Sequence, residues 1–540
     1  MILPKTIIII IFNHFISPAI KNNEINLEKE YYDLLKYNSV LIKLIRNCSN
    51  LSKVFNTEIL PKLSFSRFII DNNFPDSYTD SKRIQLLLQN RIPVQVSIDD
   101  NHNLPSILNS DSLLRNITHL RYRFSTKLYY DNNSSVDGSS ISGNNSVLRS
   151  INNQIINHQD IFKSMVHLDK AVFIIGPSVP QDIINRILLD LKESRLSEIR
   201  FIYSSVVVGN GSIPLSDSTK SELVKLVERS KLYSLSVIDY FKVNRDYLDV
   251  FRNIKSLSFA SKKNLHDDLA DLNEFIGNST KLENLILSTY QPNDQTQINQ
   301  LFLVVLSKHP SLKTIKVVHM GKLKLSSVIH FLNNNQVVTT FHLNSTSLVN
   351  DIVPYSNMTE DIYNTTLTEF CQNRSMLVSP LVFWRGVIGI KRLIIAIENK
   401  QFLPIIKDQL LAHLEDLEIS IHIDISDFVE EILSKTKTLQ TLVISSSFNL
   451  QSSASAWERI INGILSNSTL KHLKLNGNIP PKLLQNLFIH SHTSLLSILL
   501  TIPESSDSQS LQTIMKQNCT LKSMKLVTPY SHALLVDKIN

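Results

Sequence analysis

Glycine is scarce in this sequence, with 11 in 540 residues against an ordinary share near ~7%. That shortage argues against glycine-rich phosphate loops and against collagen-like repeats. Cysteine is scarcer still: Cys48, Cys371 and Cys519 are odd in number and far apart. A disulfide framework needs dense, paired cysteines, so free thiols in a reducing compartment are expected. No C-x-x-C pair and no His/Cys cluster at zinc spacing occurs, so no metal site is expected. Neither charge sign dominates. Fifty-five basic residues against 48 acidic ones give a net +7 with no polarised block, so composition does not call for nucleic acid. Long apolar runs are also missing. The stretch Ile7–Phe12 ends at Asn13 and His14, well short of the ~18–20 residues of a membrane span.

The motifs that carry chemistry are absent as well. There is no G-x-x-x-x-G-K-[ST], G-x-G-x-x-G, H-E-x-x-H or G-x-S-x-G. Gly209-Asn-Gly211 is a lone turn pair, His490-Ser-His492 reads as a solvated turn, and Trp384 and Trp457 lie in apolar segments that suit core packing. No catalytic residue, metal or cofactor is therefore expected, and the chain reads as a non-enzyme.

What is present is a repeat. The pattern L-x-x-L-x-L, with other aliphatics allowed, begins at Leu232, Ile254, Leu282, Leu312, Val338, Ile390, Leu414, Leu439, Leu470, Leu495 and Leu521. Leu367-x-x-Phe370-x-Gln372 is a degenerate copy, and Leu196, Ile117 and a weak unit at Leu168–Phe173 extend the series upstream. Helical stretches precede most copies, such as Phe428–Leu433 before Leu439 and Trp457–Leu465 before Leu470. Polar turns join them, including Asn278-Ser-Thr, Asn364-Thr-Thr, Asn467-Ser-Thr and Asn518-Cys-Thr. Strand, loop, helix, turn is one supersecondary unit that cannot bury its apolar faces alone, so neighbours must stack.

This pattern resembles the leucine-rich-repeat family over roughly residues 190–530, and more weakly from about 110. The resemblance implies an α/β solenoid with parallel strands on the concave face and helices on the convex face. The family's Asn/Cys after the triplet is mostly missing: Tyr290, Met320, His422 and Ser447 stand there, with Asn478 conforming. A continuous asparagine ladder is therefore not expected. The expected organisation is a helical segment 1–65, the start of the array at 66–130, an Asn/Ser-rich insert at 131–160, the main array at 161–530 and a tail at 531–540.

The first 65 residues carry a second, fainter resemblance. Leu3-Pro4-x-x-Ile7-x-x-x-Ile11, followed by Leu34, Leu35, Val40 and Leu41, is similar to an F-box, which docks on the Skp1-type adaptor of cullin ubiquitin ligases. It implies adaptor contacts through Leu3, Pro4, Ile7 and Ile11. The second helix lacks the family's terminal Trp, with Ser39–Lys43 in its place. A cap helix of the solenoid and a secretory signal are competing readings of the same segment. The cytoplasm follows from the first two readings, and the third makes the chain a secreted or surface-displayed leucine-rich-repeat ectodomain with a cleaved N-terminal signal.

The residues between the consensus aliphatics point away from the core into the concave face, because strand side chains alternate. They present Lys313 and Lys316, then Glu415, Asp416 and Glu418, then Lys471, His472 and Lys474, and finally Lys522 and Lys525. An acidic patch followed by a basic one on a rigid sheet suits a protein partner of complementary charge.

Overall fold

The structure is a computed structural model. In the N-terminal half it describes residues 69–71, 94–99, 114–115, 117–123, 162–175, 194–203, 233–238 and 252–261, with scattered positions at 187–191 and 221–228. Beyond these it describes 266–289, 295–318, 322–344, 347–349, 361–373, 379–384, 389–397, 413–421, 423–446, 454–477, 479–489, 494–501, 523–527 and 534–537. Residues 1–65 and the insert 131–160 lie outside the described residues, and with them Leu3, Pro4, Ile7 and Ile11.

The chain divides into two compact units, Met1–Ser261 and Lys262–Asn540. In the first unit seven strands follow in order: β1 (Ile69–Asp71), β2 (Val94–Asp99), β3 (Ile117–Arg123), β4 (Lys170–Ile175), β5 (Glu198–Tyr203), β6 (Ser234–Ile238) and β7 (Ser256–Ser261). Each pairs in parallel with the next. A parallel neighbour requires a crossover, and at least 17 residues lie between successive strands here, which leaves room for one. The apolar triplet fills the interior: Ile117, Leu120 and Tyr122 are buried on β3, and Phe173 stacks on Phe201 of β5 at 5.8 Å.

The second unit repeats the plan. Its strands are β8 (Asn284–Thr289), β9 (Thr314–Val318), β11 (Thr340–Asn344), β13 (Glu369–Gln372), β14 (Arg392–Ile397), β15 (Asp416–Ile421), β16 (Thr441–Ser446), β17 (His472–Asn476), β18 (Ser497–Thr501) and β19 (Ser523–Val527). They pair in that order, all parallel. β13 is the degenerate copy, fully integrated as a rung between β11 and β14. Two short strands, β10 (Lys322–Lys324) and β12 (Ser347–Val349), form a separate parallel pair. β20 (Leu534–Asp537) turns back antiparallel against β19.

Helices alternate with the strands: α1 (His266–Asn278), α2 (Gln295–Gln300), α3 (Leu325–Asn334), α4 (Ser426–Lys435), α5 (Ala454–Ser466) and α6 (Pro481–Ile489). α4 buries one apolar face, with Phe428, Val429, Ile432 and Leu433 at helical spacing. α5 packs along α4 and against α6. The core also contains an aromatic cluster in which Phe302, Phe331 and Phe341 lie mutually 5.2–6.1 Å apart and Phe341 continues to Phe370 at 6.1 Å. Both units are therefore built as α/β solenoid, strand rung upon strand rung.

No unbroken asparagine ladder follows the triplets, but a mixed polar row lies at the turn entering six of the second unit's strands. Ser279, His309, Asn335, Asn364, Thr436 and Asn467 each stand three residues before the first apolar residue of a copy, and all are buried. The backbone enters the strand there with groups that no helix or ladder satisfies, so a buried polar side chain must supply the missing partners. Asn335 does so by donating Nδ2–H to the carbonyl of Leu306 at 2.7 Å and accepting from the N–H groups of Val337 and Val338 at 2.9 Å.

Candidate functional surface

The parallel register fixes rows of side chains across the second unit. A backbone ladder locks the first row. The carbonyl of Glu283 accepts from the N–H groups of Lys313 and Thr314, and that of Lys313 from Thr339 and Thr340. The pattern continues through Thr339, Thr368, Lys391, Glu415, Gln440 and Lys471, where Leu496 and Ser497 donate. A one-residue slip would move every apolar side chain to the wrong face, so this register is strongly enforced. The next outward row runs Thr314, Thr340, Glu369, Arg392, Asp416, Thr441, His472, Ser497. Two residues on, a third row runs Lys316, His342, Cys371, Ile394, Glu418, Val443, Lys474, Leu499.

These rows decide which predicted site residues are already engaged. Lys313 pairs with Glu283 at 3.2 Å and Glu415 with Lys391 at 2.9 Å. Lys471 donates to Gln440 at 3.2 Å, and His472 Nδ1 lies 2.7 Å from the Ser497 hydroxyl. Asp416, Glu418, Lys474 and Lys316 make no side-chain hydrogen bond or ion pair among the described residues. Asp416 and Glu418 share the outward side of β15, and Lys474 lies on β17 in the same row as Glu418. β16 separates them and offers only Gln440, Thr441, Val443 and Ser445 to that side. At ~4.8 Å per strand the acidic and basic strands are roughly 10 Å apart, and no ion pair joins them among the described residues. Lys316, on β9, is four strand steps from β15. Lys522 lies outside the described residues, and Lys525 is placed by its backbone opposite Leu499.

The rows also contain a group the sequence reading passed over. Glu369 on β13 receives His342 Nε2 at 2.9 Å from β11 and Arg392 Nη1 at 3.4 Å from β14. The His342 hydrogen bond, aided by the Arg392 charge, holds its carboxyl below the usual range against the opposing effect of burial. The signal was present, since all three stand at outward positions of adjacent copies. Seeing it required aligning the degenerate copy residue for residue. Beside it, Cys371 donates its S–H to Asn344 Oδ1 at 3.1 Å. Burial, with the Glu418 and Glu369 charges, pushes that thiol up to about 12. A thiol so fully protonated is a poor nucleophile and a poor metal ligand. Among the described residues no group of three or more His, Cys, Asp or Glu is placed to hold a metal ion. No helix among them is long and apolar enough to cross a membrane.

No protein-family model matches the chain, and no curated protein matches it. Among solved structures it is similar to a chain of the Toll–Spatzle complex of Drosophila, at 14% identity and a TM-score of 0.31 over 85% of this chain and 54% of that one. It is also similar to a chain of the yeast Rad7–Elc1 complex, at 12% identity and a TM-score of 0.33 over 89% of this chain and 94% of that one. The chain thus spans about half the length of the Toll–Spatzle chain it matches.

Proposed function

We propose that this protein is a recognition scaffold that grips a protein partner on the outward side of the second unit's strands. One observation carries the reading: β15 and β17 present opposite charges that the chain does not spend on itself, with an uncharged strand between them. Glu418, Val443 and Lys474 are half-buried among their neighbours and held by an enforced register. They cost little to order on binding, which favours affinity. The matching partner surface carries a base over Glu418, an apolar side chain over Val443 and an acid over Lys474. A partner displaced by two strands along the row meets like charge and is repelled. The reading assigns no chemical step to the chain.

The test is capture of co-purifying proteins on the immobilised full chain, comparing the parent with Glu418→Lys and Lys474→Glu. Each reversal is expected to weaken the same captured partner about tenfold, or ~1.4 kcal/mol, and added salt is expected to weaken the parent's binding. Equal capture by parent and variants removes this surface from the account.

On the same reading, the Leu3-Pro4 segment tethers the scaffold to a Skp1-type adaptor through Leu3, Pro4, Ile7 and Ile11. The chain then serves in the cytoplasm as the substrate-recognition subunit of a cullin-type ubiquitin ligase, acting by proximity. Only the sequence motif supports this finer role. Pull-down with a Skp1-type adaptor is expected to succeed with the parent and fail with Leu3→Asp plus Ile7→Asp. No binding by the parent ends the ligase reading and leaves the surface proposal standing.

A further inference from the structure

Two members of the buried polar row also complete the acceptor pattern for N-linked glycosylation, Asn-x-Ser/Thr. They are Asn364-Thr365-Thr366 and Asn467-Ser468-Thr469. Asn467 donates both Nδ2 hydrogens into the preceding copy, to the carbonyls of Leu433 at 2.8 Å and Thr436 at 3.0 Å. Its Oδ1 accepts from the N–H groups of Thr469 at 3.0 Å and Leu470 at 2.9 Å. The Thr469 hydroxyl, 3.1 Å from Asn467 Oδ1, reaches the Leu439 carbonyl at 2.8 Å. Asn364 repeats the arrangement. It donates to Leu332 and Asn335 at 2.8 Å each and accepts from Thr366 at 3.1 Å and Leu367 at 2.9 Å, while the Thr366 hydroxyl lies 3.0 Å from the Val338 carbonyl. The two asparagines are 1% and 2% exposed.

Every group that defines the glycosylation signal is therefore a structural part of the corner. A sugar on Nδ2 replaces one of its two hydrogens. One carbonyl of the preceding copy then loses its donor, at a cost typical of a buried unsatisfied group. The glycan would also have to occupy the volume that the preceding copy fills. The folded chain offers these asparagines to no transferase, and a chain glycosylated before folding has no way to close the corner. We infer that Asn364 and Asn467 carry no oligosaccharide, and that the protein folds in a compartment that does not attach N-linked glycans. The inference is independent of what the outward surface binds. It separates the cytoplasmic reading of the chain from the secreted one. Asn278-Ser279-Thr280 is a natural contrast, because there Ser279 takes the corner and Asn278 is exposed.

The experiment has two arms. Peptide mass analysis of the protein from its own cells is expected to return Asn364 and Asn467 unmodified, and a glycan on either overturns the inference. In the second arm the full chain is routed through a eukaryotic secretory pathway behind a heterologous signal sequence, with glycosylation at Asn278 reporting exposure to the transferase. Chains glycosylated at Asn364 or Asn467 are expected to be retained and protease-sensitive. Secreted, protease-resistant chains bearing those glycans overturn it, and so do secreted chains in which Asn278 is modified but the corners are skipped.

Discussion

Trp457 is the largest fully buried side chain described, and its ring N–H has no acceptor among the described residues. Trp384 is buried too, but its ring donates to the Asn364 carbonyl at 3.0 Å. The two tryptophans should therefore respond differently to the same change. Trp457→Phe removes volume but also removes an unsatisfied buried donor, so a loss below ~1.5 kcal/mol is expected. Trp457→Ala leaves a cavity and is expected to cost ~3–5 kcal/mol. Trp384→Phe deprives a corner carbonyl of its donor and should cost about 1 kcal/mol more than Trp457→Phe. Denaturant midpoints of the three variants check this ordering; Trp457→Phe as costly as Trp457→Ala would refute it.

The helices differ in how closely they are approached, and two glycines show it. Gly463 lies on α5 where α4 crosses: a Cβ there would stand 2.9 Å from the Glu430 Cα and 3.2 Å from a Leu433 methyl. The Glu430 atom is backbone and cannot turn aside. The ion pair between Arg459 of α5 and Asp427 of α4 crosses the same contact. Gly277 on α1 has only Val305 Cγ1 within reach, at 3.8 Å. Alanine gains roughly 0.5–1 kcal/mol over glycine in a helix interior. Gly277→Ala is therefore expected to stabilise modestly, near the lower end because the position is close to the helix end. Gly463→Ala is expected to lose ~1–3 kcal/mol, because the packing clash exceeds the propensity gain. Opposite signs in a melting comparison support the helix packing; the same sign would count against it.

For the molecule as a whole, acid should be destabilising in two stages. His309 fills a corner position with Nε2 3.0 Å from the Ile276 carbonyl, and burial lowers its pKa from 6.5. The unfolded chain therefore binds a proton below about pH 6.5 that the folded chain refuses. The stability is complete above that pH and is lost as pH falls toward the lowered value. Glu369 follows the same sign lower down: its pKa is depressed from 4.5, so its contribution is present above that value and lost as pH falls below it. Asparagine serves at the same corner position in Asn335, Asn364 and Asn467, so His309→Asn should fit. The expected result is a smaller fall in the urea midpoint between pH 7.5 and 5.5 in His309→Asn than in the parent. An equal fall excludes His309 as a source.

The alternation inside each triplet and the spacing between triplets determined the rungs. From them follow the stacked strand–helix copies and even the rung at Leu367–Gln372, because an apolar face that cannot be buried locally must be buried by the next copy. That the strands run parallel is implied by the leucine-rich-repeat resemblance. The same arithmetic located the outward charges on β15 and β17. Tertiary structure decided which of those charges remain available. Lys313 and Glu283, Lys391 and Glu415, and Arg392 and Glu369 lie 23–30 residues apart in sequence and meet because stacked strands share a register. The corner asparagines belong to the same category. In sequence they are polar turn residues, two of which, Asn364 and Asn467, look like glycosylation sites, and only the preceding copy's carbonyls give them their role. The apolar alternation can be read within one copy, whereas these ion pairs and the Nδ2–H bonds of the corner asparagines join two.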